Sequence, residues 1–302
     1  MRQHFVLSPD AEVTMEANPG AVEHGAFAGY RAAGVNRLSL GAQSFDDRML
    51  KALGRIHSVA ATEAAFAEAR AAGFENINLD LMFALPAQSL QDAEADVLAA
   101  LELQPEHISY YHLTLEPNTV FYSRPPPLPD TDEAWNIQDV GSHLLQDAGY
   151  ANYEVSAWGR SGRQCQHNLN YWRYGDYLGL GAGAHSKITL ANGSVVRENR
   201  SAHPRDYLRR VHVQQATSRQ DVDAANKLFE FMLNNLRLRA GFSLEDFERR
   251  TGLSAELMQT KLQNAMERGL LVETQRGLLQ PSARGLQFLD DLQSLFLPTG
   301  QG

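Results

Sequence analysis

Asn76-Ile77-Asn78-Leu79-Asp80-Leu81-Met82-Phe83-Ala84-Leu85-Pro86 alternates polar and apolar side chains over its first six residues and meets a proline at its end. Residues two apart on a strand share a face, so Ile77, Leu79 and Leu81 turn one way and Asn78 and Asp80 the other. The same pattern returns at Glu12–Ala17, Arg37–Ala42 and His107–Leu113, which with Asn76–Met82 makes four predicted strands. Between them, Ala-rich amphipathic stretches near 21–33, 46–72 and 89–103 predict helices, and Gly34 and Gly73 stand where a left-handed residue closes a helix. Strands alternating with helices imply right-handed βαβ units, and so an α/β fold around a parallel sheet.

One face of that sheet collects Val13, Met15, Leu38, Leu40, Ile77, Leu79 and Leu81, suited to packing under helices. The other collects Thr14, Glu16, Ser39, Gly41, Gln43, Asn78, Asp80, Ser109 and Tyr111. A closed barrel fills its interior with branched apolar side chains, so this polar face predicts an open or partial barrel around a cavity. Glu16, Gln43 and Asp80 end successive polar series at the strands' C-terminal ends, where ligands bind in parallel α/β folds. Each of them is also a candidate cap for the next helix.

The chain has 302 residues, 43% of them hydrophobic and 21% charged, with a formal charge of -9. These are ordinary values for a globular protein with one large or two moderate domains. The negative charge argues against a non-specific nucleic-acid binder. No apolar stretch approaches the ~20 residues of a membrane span, and the N-terminus is too short and polar for a secretory signal. A cytoplasmic location is expected. The one cysteine, Cys165, excludes an intrachain disulfide, a Cys-rich zinc site and an iron–sulfur cluster held by this chain alone.

Asp130 or Thr131 is placed to cap a long helix over about 132–148, after the stiff Pro125-Pro126-Pro127-Leu128-Pro129 segment. Gly179-Leu180-Gly181-Ala182-Gly183-Ala184-His185 has a loose phosphate-loop spacing without a lysine or an obvious helix start. Its glycines serve equally to let backbone approach a bulky neighbour. From about Asp221 a helix, a capping-box-like start at Ser243 and Asp246, a helix near 255–268 and a hairpin around Gly277 come in winged-helix order. Residues 241–302 carry six basic and eight acidic side chains, so a structural or docking module is expected rather than a DNA reader.

Two groups of residues carry chemistry. His167 is the best metal-ligand candidate; Tyr171 and Trp172 supply flat apolar surface for a porphyrin, and one His suffices as an axial ligand. A lone His is also commonly a structural hydrogen-bonder. Cys165 lies on the same side as His167 if the segment is extended, and it is read as a second candidate ligand or a small buried thiol. Asp80, Glu16, Gln43 and Arg55 could hold a zwitterion bearing a ribose: carboxylates accept from an ammonium or vicinal hydroxyls, and Arg55 pairs with a carboxylate. Arg55 is otherwise an exposed loop residue. No nucleophile–base–orienter triad is evident, and no catalytic residue is assigned.

Glu16-Ala17-Asn18-Pro19-Gly20, Leu40-Gly41-Ala42-Gln43-Ser44-Phe45, Leu53-Gly54-Arg55-Ile56-His57, Asn78 to Pro86 and Leu113-Thr114-Leu115-Glu116-Pro117-Asn118-Thr119 come in an order that resembles HemW-type radical-SAM proteins, relatives of oxygen-independent coproporphyrinogen III oxidase. His167-Asn168-Leu169-Asn170-Tyr171-Trp172 matches that branch's HNxxYW heme-binding motif, and the C-terminal region resembles the HemN C-terminal domain. The resemblance covers essentially the whole chain. It implies a partial (β/α) barrel of radical-SAM type with a heme-motif extension over 1–215, and a HemN-type winged-helix-like domain over 216–302. Glu16, Gln43, Arg55 and Asp80 then contact S-adenosylmethionine, and His167, with Tyr171 and Trp172, binds heme.

The implied function is a heme chaperone that passes heme to acceptor proteins, with coproporphyrinogen III oxidase as the alternative. The family's CxxxCxxC, which holds a [4Fe–4S] cluster, is not in this sequence, nor is the GGTPS-like loop after it. Met1 therefore reads as an internal start, with the first two βα units and an edge partner for the sheet lying outside the sequence. Binding of S-adenosylmethionine and the cluster is expected only in a full-length form.

Overall fold

The computed structural model describes residues 6–21, 26–213 and 215–298. Compactness divides the chain into two units, 1–164 and 165–302.

The first unit holds a six-stranded sheet in the order β1-β2-β3-β4-β6-β5. Strands β1 (Thr14–Ala17), β2 (Arg37–Gln43), β3 (Ile77–Phe83) and β4 (His107–His112) run parallel, as their alternation predicts. Strands β5 (Ala151–Glu154) and β6 (Ala157–Gly159) then extend the sheet antiparallel beyond β4, an addition the sequence pattern did not signal. The apolar face is as expected: Leu38, Leu40, Ile77, Leu79, Leu81 and Ile108 are all fully buried. Each such side chain contributes about 1.5–3 kcal/mol of burial free energy.

Helices α1 (Ala26–Ala32), α2 (Asp47–Ala52), α3 (Val59–Ala71), α4 (Leu90–Glu102), α5 (Val120–Ser123) and α6 (Thr131–Asp147) connect and extend these strands. Gly34 and Gly73 have φ of 102° and 85°, the left-handed geometry expected of them. Asp130 caps α6 in a reciprocal box with Glu133. Part of the first helical stretch, 22–25, lies outside the described residues.

The stretch expected to be one helix over 46–72 is two. Ser58 accepts from Ala61 N to begin α3, and Asp47 Oδ1 accepts from Val59 N at 2.8 Å, so the chain folds back between α2 and α3. Arg55 sits in the loop this break creates.

The second unit begins with α7 (Gln166–Trp172), continues through β7 (His185–Thr189) and β8 (Val195–Arg200), then α8 (Pro204–Val211) and β9 (Thr217–Val222). Strands β7, β8 and β9 form one antiparallel sheet. The boundary expected at 215/216 falls between the paired strands β8 and β9, whereas the compact division falls at 164/165.

The winged-helix order is present: α9 (Ala224–Asn235), α10 (Leu244–Thr251), α11 (Gln259–Glu267), then the antiparallel hairpin β10 (Leu271–Glu273) and β11 (Leu279–Pro281), with α12 (Ala283–Gln287) and α13 (Leu289–Ser294) after it. Phe231 meets Phe242 and Phe247 edge-on, at 5.4 and 5.2 Å between ring centroids, in the core of this region. Ser243 caps α10 by accepting from Asp246 N; in return its hydroxyl donates to Asp246 Oδ2 at 2.8 Å.

Candidate functional site

Register places Glu16 beside Ser39, Ser39 beside Asn78, and Asn78 beside His107, a row of four polar residues crossing four parallel strands. Asn78 is its centre. Its Nδ2 donates to Ser39 Oγ at 2.7 Å and to Asp80 Oδ1 at 2.8 Å, and Ser39 Oγ donates to Asp80 Oδ2 at 3.0 Å. The Asn78 Oδ1 atom must therefore accept, and it receives Ser109 Oγ at 3.1 Å and His107 Nδ1 at 2.6 Å. That assigns the His107 proton to Nδ1, leaving Nε2 to accept from the Tyr153 hydroxyl at 2.7 Å. Burial, aided by the nearby Arg37 charge, pushes His107 down to about 3, so the imidazole stays neutral.

Asp80 lies one residue pair beyond this row. Burial raises its pKa most; the bonds from Asn78, Ser39 and Ser109 oppose this, and the Glu16 carboxylate adds to the rise. Asp80 is the fourth of the seven residues of β3 and not at its C-terminal end as expected; two carboxylates that repel one another on one sheet face favour a cation or a hydroxyl-rich ligand between them. Tyr111 donates to Gln43 Oε1 at 2.9 Å. The Tyr111 phenol is pushed up to about 12, first by burial and then by Asp80, with Arg55 pulling the other way. Asp80, Gln43 and Arg55 thus all act on one tyrosine. Of the four residues singled out from sequence, Gln43 bonds Tyr111, whereas Asp80 and Arg55 bear on that phenol, and Glu16 on Asp80, through their charge.

Gln43 is held in an unusual way. It is 5% exposed, its φ is +67°, and a register shift in the β2–β3 pairing falls between Leu40 and Gln43. Gly41 makes room for it: a Cβ there would stand 2.8 Å from Gln43 Nε2 and 3.0 Å from Asn18 Oδ1.

Sequence reasoning missed His107 and Asp96. Strand period alone puts His107 on the face of Ser109 and Tyr111. Asp96 stands on α4 within the spacing of the buried residues Ala93, Val97 and Ala100, and is itself 2% exposed.

The second group lies on α7. The segment is helical rather than extended, with Cys165 at its N-cap position. Cys165 is 3% exposed and His167 is exposed, so the two-residue spacing does not present both side chains on one open side. A helix instead pairs i with i+4: the His167 and Tyr171 rings meet edge-on at 4.7 Å, and Tyr171 continues to Tyr177 at 4.5 Å. The Trp172 ring lies under the Arg237 guanidinium, 4.3 Å from the ring centroid, and lines one cavity with Tyr171.

A cavity of about 300 Å³ is lined by Asn168, Tyr171, Trp172, Tyr177, Lys187 and Arg197 among others, and His167 is not on its wall. Lys187, 1% exposed, donates to Tyr174 O at 3.0 Å and to Asp176 Oδ1 at 2.9 Å. The glycine-rich run forms the approach to β7, and no helix starts there. A Cβ on Gly179 would press on the His185 backbone, so that glycine serves close approach of the chain to itself. Among the described residues, no group of three or more His, Cys, Asp or Glu side chains is gathered for a metal ion, and no helix is long and apolar enough to cross a membrane.

Comparison with known proteins covers both groups. The Radical SAM superfamily model matches residues 2–100 and the HemN C-terminal domain model matches residues 222–288. The heme chaperone HemW of Escherichia coli strain K12 is 46% identical over 98% of this chain and 78% of its own length. The chain belongs to the HemW family. The HemW of Haemophilus influenzae is 44% identical over 98% of this chain and 76% of its length. The mouse mitochondrial radical S-adenosyl methionine domain-containing protein 1 is 35% identical, covering 98% and 70%. Among solved structures, the radical SAM enzyme coproporphyrinogen III oxidase (HemN) of E. coli matches 99% of the chain and 72% of its own, with a TM-score of 0.79 at 21% identity. That likeness establishes the fold. In this HemW-family chain, Glu16, Gln43, Arg55 and Asp80 all lie inside the radical SAM match, whereas α7 falls between the two matched domains.

Proposed function

We propose that the chain binds heme through His167 and passes it to acceptor proteins, and that S-adenosylmethionine is the ligand of the polar sheet face. The observation that carries the heme reading is an exposed imidazole, edge-on to Tyr171, in a chain 46% identical to a protein named as a heme chaperone. A neutral imidazole is a sufficient axial ligand for heme iron. One exposed ligand suits a cargo that must be released again, because leaving breaks a single bond and uncovers little buried surface.

The polar face fits S-adenosylmethionine by the chemistry of its donors. Glu16 and Asp80 suit an ammonium or ribose hydroxyls, and Arg55 suits the carboxylate. When bound, the group supplies a methionyl zwitterion, a sulfonium and a nucleoside. Gln43, fixed by Tyr111, orients it. The [4Fe–4S] cluster of the family is not fitted by these residues: the chain's one cysteine is buried at the start of α7.

Heme titration followed in the Soret region, with His167→Ala beside the wild type, tests the heme site. At least about tenfold weaker binding by the variant, a loss of roughly 1.4 kcal/mol, is expected. Equal binding by both removes the assignment. The second reading, decarboxylation of a porphyrinogen, has the HemN fold in its favour. Anaerobic turnover of coproporphyrinogen III by a reconstituted longer form would support it.

A further inference from the structure

Gln43 is the centre of a tight turn closed by Ser44 N and Ala42 O. A non-glycine residue at φ +67° costs about 1 kcal/mol or more and persists only where its surroundings hold it. Tyr111 binds the tip of the side chain, and Ser44 N donates to Ala42 O at 2.9 Å across the turn, so the backbone at Gln43 is held as firmly as Ser44 is. Residues 44–46 supply that hold, because all three are tied to one buried carboxylate. Ser44 Oγ lies 2.9 Å from both oxygens of Asp96, and Phe45 N donates to Oδ1 at 2.6 Å. Asp46 N in turn donates to Ser44 Oγ at 3.0 Å.

The same carboxylate reaches a second loop. Gln88 Nε2 donates to Asp96 Oδ2 at 3.2 Å, while Gln88 Oε1 accepts from Leu85 N at 3.0 Å. That loop leaves β3, the strand of Asp80, and also carries left-handed residues, Ala84 and Ala87, both at φ 56°. Every partner Asp96 has here is a donor, so the site calls for a group that only accepts. An asparagine would turn an NH₂ toward one of these donors, and Gln88 cannot flip to rescue it without losing Leu85 N.

We infer that Asp96 is a positioning residue for Gln43, and that through Ser44, Phe45 and Gln88 it locks together the loops at the C-terminal ends of β2 and β3. Asp96 does not touch the ligand. Its part in ligand binding rests on the S-adenosylmethionine reading above, but its hold on the two loops does not.

Amide hydrogen exchange separates the two questions. In Asp96→Asn, exchange should quicken by about tenfold or more over residues 41–46 and 84–88, with 38–40 and 77–81 unchanged. Should that variant not fold, Ser44→Ala, which removes the donor to Asp96 and the acceptor of Asp46 N and adds no polar atom, should quicken 41–46 alone. Unchanged exchange in these loops, or a uniform rise across the whole unit, overturns the inference. Isothermal titration with S-adenosylmethionine then completes a double-mutant cycle. Ser44→Ala should weaken binding in the wild-type background and have no further effect in Gln43→Ala. Additive losses would show that Ser44 and Asp96 act without Gln43 and overturn the positioning role. A wild type that does not bind S-adenosylmethionine at all refutes the ligand assignment, and the exchange result still decides whether Asp96 holds the loops.

Discussion

Tyr111 donates its phenol hydrogen to Gln43 Oε1 at 2.9 Å, joining β4 to the end of β2 across 68 positions of sequence. The bond spans β3 and makes Gln43 part of the same polar face as Asp80. It fixes which end of the amide faces outward: with Oε1 occupied, Nε2 is the atom turned toward Asn18 and the space over Gly41.

Tyr111→Phe should therefore leave the fold intact and weaken S-adenosylmethionine binding. The loss of one neutral hydrogen bond is worth about 1 kcal/mol, roughly a fivefold change in affinity. Isothermal titration checks this, with a thermal melt to confirm that stability moves little. Unchanged affinity would mean that Gln43 is oriented without Tyr111.

Asp96 makes stability depend on pH. Burial, opposed by the bonds from Phe45 and Ser44, holds its carboxyl at about 6 in the folded protein against an ordinary 3.8. Between those values the folded state keeps a proton that the unfolded chain has released. Stability from this group accordingly falls as pH rises through about 4 to 6 and is level above that. The linkage is worth roughly 3 kcal/mol over the window. Urea unfolding of wild type and Asp96→Asn at about pH 4 and pH 7 measures it. The variant should lack this component of the pH dependence; parallel profiles would contradict the assignment.

Gly141 lies on the face of α6 that meets Tyr110 of β4, and an added Cβ would stand 2.6 and 2.7 Å from two of its ring carbons. Tyr110 is 3% exposed and has little room to retreat. Gly141→Ala should cost about 1–3 kcal/mol by overpacking, outweighing the gain in helix propensity of ~1 kcal/mol. Denaturant midpoints report the net effect, and a stabilised variant would show that Tyr110 moves aside freely.

The pair Lys187 and Asp176 is unequal: the side chains are 2% and 44% exposed. Removing the carboxylate strands a buried ammonium with only Tyr174 O and Thr189 Oγ1 to accept from it. Removing the ammonium leaves a carboxylate that water reaches and that Thr189 still serves through its backbone N and its hydroxyl. Asp176→Ala should thus cost about 3 kcal/mol or more, and Lys187→Met clearly less. Equal losses in urea unfolding would show that the half-exposed carboxylate depends on its partner as much as the lysine does.

The parallel strands and their two faces were legible because a period of two leaves little choice once one side is buried. Leu38, Leu40, Ile77, Leu79 and Leu81 were read correctly from spacing alone. The polar face that carries Glu16, Ser39, Asn78 and Asp80 was legible from the same period. The break between α2 and α3 was hidden because Asp47, in α2, serves the first N–H of α3, a contact twelve residues apart in sequence. Asp96 looked like Asp92 one turn earlier; only packing buries one and leaves the other pairing with Arg48 at the surface. Whether the α7 segment was extended or helical was left open by the sequence, because a seven-residue run with two asparagines carries little local preference.

Where α7 places its aromatic residues also gives the molecule an optical reporter. Five residues along a helix advance roughly 7–8 Å, so the Trp172 indole stands within that axial distance of His167 while packing on another side, beneath Arg237. A strongly coloured molecule on the imidazole would drain the excited state of this indole across space without disturbing its packing. The Trp172 share of the emission, beside that of Trp135 and Trp158, would therefore fall as sites fill and recover as they empty, with no dye attached.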